Sequence, residues 1–256
     1  VDMAEGVSLL TLVTDHELFS LCRESFEDGI GDTEVQVVPI DANANGWSAA
    51  EGLNAGLTEA QHRWAVLSHQ DVLFPTGWWP RAHSQLSALP RPVGVAGTFG
   101  VDALGCFRGH LLDPHGHRKT GPFPHPIVSL DEHLIIVDRE HGLAFDESVP
   151  HFHCYGTDIV LQSLARGLDA VVINAPVVHL SGGRLDDKFS VSSRVLAEKW
   201  RSRGVIPTCA ALLGTNTLRG SLMMPIYKAI RKRSRQAASQ ARLVDCLADF
   251  GAPPAL

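Results

Sequence analysis

The sequence predicts an α/β protein, an αβα sandwich on a mostly parallel sheet followed by a helical tail. Three observations carry this expectation. The short apolar runs VSLLTLV, VQVVPI and WAVL are rich in branched residues, as strands buried on both faces should be. Segments with apolar residues at helical spacing lie between them, and a β-α-β-α-β order implies parallel strands joined by right-handed crossovers. Hydrophobic residues make up 45% of the 256 and charged residues 20%, which suits a sizeable core and excludes a disordered, collagen-like or coiled-coil chain.

Taken in order, Val7 to Val13 is the first strand. Thr14 and Asp15 cap the next helix, whose face is Leu18, Leu21, Cys22 and Phe26 and which Gly29 and Gly31 stop. Val35 to Ile40 is the second strand, the polar run DANANGWS a loop, Ser48 to about Ala60 a helix, and Trp64 to Leu67 the third strand. Val93 to Ala96 reads as another strand. Gly97 to Pro126 crowds Gly, Pro and His together and reads as an exposed loop over a cleft, and eight of the 13 histidines fall between His110 and His153. Leu134 to Val137 is strand-like, and Phe145-Asp146-Glu147 forms a turn. Thr157 and Asp158 open a helix carrying Val160, Leu161, Leu164 and Ala165 on one face, closed by Gly167. Val171 to Ile173 and Val177 to His179 are the last strands of this body.

Charge and cysteine usage narrow the function classes. The net charge is −6, yet Arg219 to Arg242 holds seven basic residues and no acid, leaving 15 basic against 26 acidic residues before it, a body of about −11. An acidic body argues against nucleic-acid binding. The five cysteines (Cys22, Cys106, Cys154, Cys209, Cys246) are odd in number and form no CxxC pair, so they read as reduced thiols. No stretch approaches the roughly 18 apolar residues of a membrane span, and the N-terminus shows no basic-then-apolar leader, so the expected address is the cytoplasm.

In open parallel sheets, ligands lie beyond the carboxyl ends of the strands. The residues at those ends are Thr14 and Asp15, Asp41, and the run Ser68-His69-Gln70-Asp71. A carboxylate at Asp71 offers a hard oxygen to a divalent ion against a diphosphate, or else caps the turn before Pro75. His179, at another strand end, could complete a metal site begun by Asp71. Asp158 is a helix cap or, if it faces a cleft, a general base. Asp113, His115, His117 and His125 lack the spacing of a metal motif and read as loop residues. The sequence has no GxGxxG, GxxxxGK[ST] or GxSxG.

The order VSLLTLVT, VQVVPID, AAEGLNAGL, VLSHQDVLFPTGWW, then FDESVPHFHCYGTDIVLQSLARGLDAVVINAPVVHLSGG, resembles a GT-A glycosyltransferase of family 2. It is most similar to the bacterial branch with an HQDV motif in place of Asp-x-Asp, over roughly Leu9 to Trp200. The resemblance implies a GT-A domain at 1–215, with a nucleotide-sugar half over about 1–100 and an acceptor half over 101–215, and a basic amphipathic tail at 216–256. It implies that Thr14, Asp15, Asp41 and Asn54 line the nucleotide pocket with His69, Gln70 and Asp71. Asp71 and His179 would hold Mg²⁺ or Mn²⁺, Asp158 would be the catalytic base, and Asp131, His153 and Tyr155 would lie on the acceptor side. The implied reaction is an inverting transfer from a UDP-, GDP- or dTDP-linked sugar to an acceptor hydroxyl, in glycan, glycolipid or glycosylated-metabolite synthesis. His69 departs from the family pattern at the first aspartate. A nucleotidyltransferase and a non-catalytic sugar-nucleotide-binding protein are the alternatives. The tail, with Leu218, Leu222 and Ile226 beside Lys228, Arg231, Lys232, Arg233 and Arg235, fits either a peripheral membrane contact, and so a lipid-linked acceptor, or packing on the body or a second subunit.

Overall fold

The computed structural model describes residues 4–183 and 185–238. Strands β1 (Ala4–Leu12), β2 (Val35–Ile40) and β3 (His62–His69) are parallel in the order β2-β1-β3. Helix α1 (His16–Gly29) makes the first crossover, with the Asp15 side chain accepting from the Glu17 and Leu18 amides at its N-cap. The second crossover starts with a short helix α2 (Ala42–Asn45), capped by Asp41, where the sequence predicts only a loop. It continues in α3 (Ala49–Glu59), opened by a reciprocal capping box between Ser48 and Glu51. The buried face of α1 is Phe19, Cys22, Ser25, Phe26 and Gly29, so Cys22 and Phe26 lie on it as expected while Leu21, 44% exposed, does not.

The chain then gives β4 (Val72–Leu73), α4 (Trp78–Ser87), β5 (Val93–Gly97), β6 (Phe99–Val101), β7 (Phe107–Asp113), β8 (Gly116–Thr120), β9 (His125–Pro126), β10 (Ser129–Leu130) and β11 (Leu134–Asp138). After these come α5 (Tyr155–Ala165), β12 (Asp169–Val172), β13 (Val177–His179), α6 (Asp187–Lys199), the hairpin β14 (Val205–Pro207) and β15 (Leu212–Gly214), and α7 (Leu218–Ala238). The large sheet runs β2-β1-β3-β11-β5-β12-β9, with β11 antiparallel to both neighbours. A smaller sheet runs β10-β6-β7-β13-β4, with β8 paired to β7.

Alternation along the central strands builds the layers. Val7 and Leu9 of β1, Trp64 and Val66 of β3, and Leu134 and Ile136 of β11 pack with Phe26, Phe74, Trp78 and Trp79 on the α1–α4 side. Leu10, Ala65, Leu67, Ile135 and Val137 point the other way, to Leu53 of α3 and Ile159 of α5. Successive residues of a strand face opposite sides, so a fully apolar run buries both faces of one sheet.

The Gly97–Pro126 region corrects the loop expectation, because half of it is strands β6, β7 and β8 of the second sheet. Its strands are short, and Gly109 is held at φ 134° against the Thr98 carbonyl and Phe99, where a Cβ would fall 2.3–3.0 Å from them. Local glycine there serves close strand approach and not a turn. His110 and His117 are buried, with their Nε2 atoms 2.8 Å apart, so neither is an exposed cleft residue.

The start of the tail is also more integrated than an appendage. Arg231 of α7 is buried, donating to the carbonyls of Thr208 (2.7 Å), Cys209 (2.8 Å) and Ala211 (2.9 Å) and lying over the Phe107 ring. Tyr227 donates to the Ala103 carbonyl, and Ser234 accepts from the Phe107 amide. Arg231 therefore drops out of the predicted basic stripe. The Arg235 side chain and Arg242 lie outside the described residues.

Candidate active site

The end of β3 and the start of β4 carry His69, Gln70 and Asp71 in succession. In the antiparallel pair β4–β13, His179 registers with Val72, and the Leu180 amide donates to the Asp71 carbonyl. That register sets the His179 imidazole beside the Asp71 carboxylate, Nε2 to Oδ1 3.3 Å. One ligand atom each from His69, Asp71 and His179 lie within 4.8 Å of one another. Two elements remote in sequence thus converge on a donor set of two nitrogens and one oxygen. Burial pushes His69 down to about 4, helped by the neighbouring His179, so its ring is neutral at pH 7 and free to offer a lone pair. Burial opposes the charge on Asp71, but the His179 hydrogen bond and charge outweigh it and hold the carboxyl well below its usual range.

Because β11 is antiparallel to β3, its N-terminal end arrives at the same edge, with the His69 amide donating to the His133 carbonyl at 2.9 Å. The preceding residues Asp131, Glu132 and His133 therefore border the metal candidates. Asp131 Oδ1 and His133 Nδ1 are 2.8 Å apart, His133 Nε2 is 2.8 Å from Thr98 Oγ1, and the His133 ring stacks on His179 at 5.4 Å. This chain of contacts orients His179 from behind, as an outer shell does for a metal ligand. Burial works against ionised Asp131, yet the bond to His133 prevails and lowers its carboxyl.

A cavity of about 360 Å³ reaches His69 and His179 of the triad, while Asp71 and His133 lie outside its lining. Its walls include His69, His179, Asp131, Glu132 and Arg118, together with His153, Phe189 and the exposed Phe152 and Leu185. Tyr155 brings its hydroxyl 3.3 Å from His69 Nε2, and His153 Nε2 lies 3.0 Å from Asp186 Oδ1. Beside the triad, Gln70 Oε1 accepts from the Thr14 and Asp15 amides at 2.7 and 2.8 Å, and its Nε2 donates to Thr14 Oγ1. Thr14, Asp15, His69, Gln70, Asp71, His179, Asp131, His153 and Tyr155 therefore gather along one edge of the two sheets.

Three expected site residues are engaged elsewhere. Asn54 donates to the Phe145 carbonyl and Glu147 and accepts from the Phe145 amide, which ties α3 to the turn at 145–147. Asp41 caps α2 through the Ala44 amide. Asp158 does not open its helix but sits in the second half of its first turn, 1% exposed, and is not among the residues lining the cavity. Its carboxylate accepts from Lys199 Nζ (2.8 Å), Trp200 Nε1 (2.7 Å) and Gln162 Nε2 (2.8 Å), so it clamps the end of α6 to α5 and is not open to an acceptor.

These elements define the class as a GT-A fold, an αβα sandwich with a polar cleft at the strand ends. No protein-family model matches the chain. Comparison of structures finds GT-A proteins at identities that speak to the fold. TarS of S. aureus aligns over 96% of this chain and 80% of its own, with TM-score 0.53 and 10% identity. The mannosyltransferase PcManGT of Pyrobaculum calidifontis, in complex with GDP-Man and Mn²⁺, gives the same coverage and TM-score at 13% identity. GalNAc-T7, solved with UDP, GalNAc and Mn²⁺, gives TM-score 0.54 at 11% identity over 77% of this chain. This chain spans about half the length of that structure, 49%. In sequence it is 24% identical over 209 residues, 76% of this chain and 83% of the other, to a Fuscovulum blasticum protein described as ATP synthase subunits region ORF 6.

Proposed function

We propose that this protein is a glycosyltransferase that moves a sugar from a nucleoside-diphosphate sugar to an acceptor hydroxyl with inversion. The observation that carries the reading is the convergence of His69, Asp71 and His179 at the end of β3, the edge where an open α/β sheet takes its ligand. The GT-A folds solved with UDP or GDP-Man and Mn²⁺ support it.

The donor set favours Mn²⁺ over Mg²⁺, because Mg²⁺ demands oxygen ligands and near-ideal octahedral geometry whereas imidazole suits softer transition ions. When bound there, the ion would neutralise the leaving diphosphate as a Lewis acid. The chain supplies the rest. His69, Asp71 and His179 would hold the ion, and Gln70 keeps Thr14 and Asp15 fixed beside it for the nucleoside. Arg118, held by its ion pair with Asp113, places guanidinium hydrogen-bond donors on the wall. Phe152, Leu185 and Phe189 give the mouth an apolar rim against which a sugar face can pack and exclude water.

A thermal-shift panel of UDP-, GDP- and dTDP-sugars, run with Mn²⁺, with Mg²⁺ and with EDTA, tests the reading. A donor at 100 times its Kd adds about 2.7 kcal/mol, or roughly 5–11 °C for a chain of this size. A Mn²⁺-dependent shift with at least one donor is expected. No shift with any donor, or a shift indifferent to EDTA, contradicts it.

A further inference from the structure

The cleft holds one carboxylate that the metal set does not use. Glu132 lines the same cavity as His69 and His179, on the turn that β11 carries to the end of β3. The other wall carboxylates are paired, Asp113 with Arg118 and Asp131 with His133. Among the described residues, no cation lies within ion-pair distance of Glu132. Its Oε1 instead accepts from the Gly156 amide at 3.2 Å, in the first turn of α5. Gly156 makes the room, since a Cβ there would fall 2.8 Å from Glu132 Cγ and 3.0 Å from the Leu130 carbonyl oxygen. The main chain thus holds this carboxyl group in the cleft with no ion-pair partner among the described residues.

Resting on the glycosyltransferase reading, we propose that Glu132, and not Asp158, is the catalytic base. The acceptor oxygen forms the new bond to the anomeric carbon as the bond from that carbon to the diphosphate oxygen breaks. The bonding pair leaves on the nucleoside diphosphate, and the hydroxyl proton passes to Glu132 and then to solvent. Burial pushes the Glu132 carboxyl up to about 8, the Asp131 charge adds to this, and the amides of Gly156 and Cys154 oppose it. A base poised near the working pH is the effective kind. The titratable groups facing it are Asp131 on its own turn, Cys154 at the N-cap of α5, Tyr155 on α5, and Cys209 from the segment after β14.

The probes are Mn²⁺, nucleoside diphosphates and the hydrolysis of nucleotide sugars, with water standing in for the acceptor. Hydrolysis by the parent establishes the parent reading, and failure of the parent alone would sink that reading and this one with it. With an active parent, Glu132→Gln is expected to keep Mn²⁺ and nucleoside-diphosphate affinity within threefold and KM nearly unchanged. Its kcat should fall about 10²–10⁴-fold. The parent's kcat/KM should rise with pH through about 8, and that limb should vanish in the variant. Gly156→Ala, which crowds the carboxylate without removing it, should lower kcat with donor affinity intact. Parental kcat in either variant, or an unchanged pH limb in Glu132→Gln, would overturn the assignment.

Discussion

Asp71 and His179 meet because a two-residue strand pairs with a three-residue one, and each alone is an ordinary polar residue at a strand end. Replacing a ligand should cost more than the 10–100-fold in metal affinity typical of outer-shell changes. His179→Ala is therefore expected to weaken Mn²⁺ by more than about 100-fold, read by calorimetry, with the circular dichroism spectrum unchanged. Glu132 has a stability signature besides its proposed chemistry. Its folded-state pKa is raised, so the stability it contributes is full below the ordinary Glu pKa and is lost as pH rises toward about 8. Glu132→Gln should therefore melt no lower than the parent at pH 8.5, in differential scanning calorimetry. A lower melting point would mean that the ionised carboxylate stabilises the fold.

At the scale of elements, α5 and α6 are joined by the buried contact of Asp158 with Lys199 and Trp200. Removing one partner of a buried ion pair leaves the other uncompensated, at about 3–5 kcal/mol. Asp158→Ala should lower the melting temperature by roughly 6–20 °C, and the loss of activity should track unfolding. A variant that melts like the parent but does not turn over would restore Asp158 to the chemistry. The parallel half was legible because VSLLTLV, VQVVPI and WAVL are short branched-apolar runs with capped helices between them, although VQVVPI proves to be a half-buried edge strand and not one covered on both faces. The direction of β11 was not, since the four apolar residues Leu134 to Val137 read the same both ways, and its reversal is what delivers Asp131, Glu132 and His133 to the cleft. Strands β6 to β8 were hidden by glycines that serve close sheet contacts. The Asp158 clamp was hidden because its partners lie 41 and 42 residues away.

Across the whole molecule, α7 holds Arg231 against the 208–211 segment while Leu218, Leu222 and Ile226 remain exposed at 78%, 67% and 60%. They recur every four residues and so lie along one helix face, with Lys228, Lys232 and Arg233 exposed farther along the same helix. Among the described residues no helix is long and apolar enough to cross a membrane. We propose that this face rests on anionic lipid, which would bring a lipid-linked acceptor near the cleft. Each basic residue near such a surface contributes about 1 kcal/mol. The protein should therefore cosediment with vesicles containing phosphatidylserine, less at high salt, and the Leu218→Ser/Leu222→Ser/Ile226→Ser variant should not. Equal binding by both proteins would end the membrane proposal.

The proposed function stands on the His69–Asp71–His179 set at the end of β3 binding a nucleoside diphosphate through a divalent ion. Titration calorimetry of UDP and GDP into the protein, with and without Mn²⁺, against Asp71→Asn under the same conditions, tests it most directly. Binding of at least one nucleotide that requires Mn²⁺ and is lost in the variant is expected. Binding that is the same without the ion, or the same in Asp71→Asn, would contradict it.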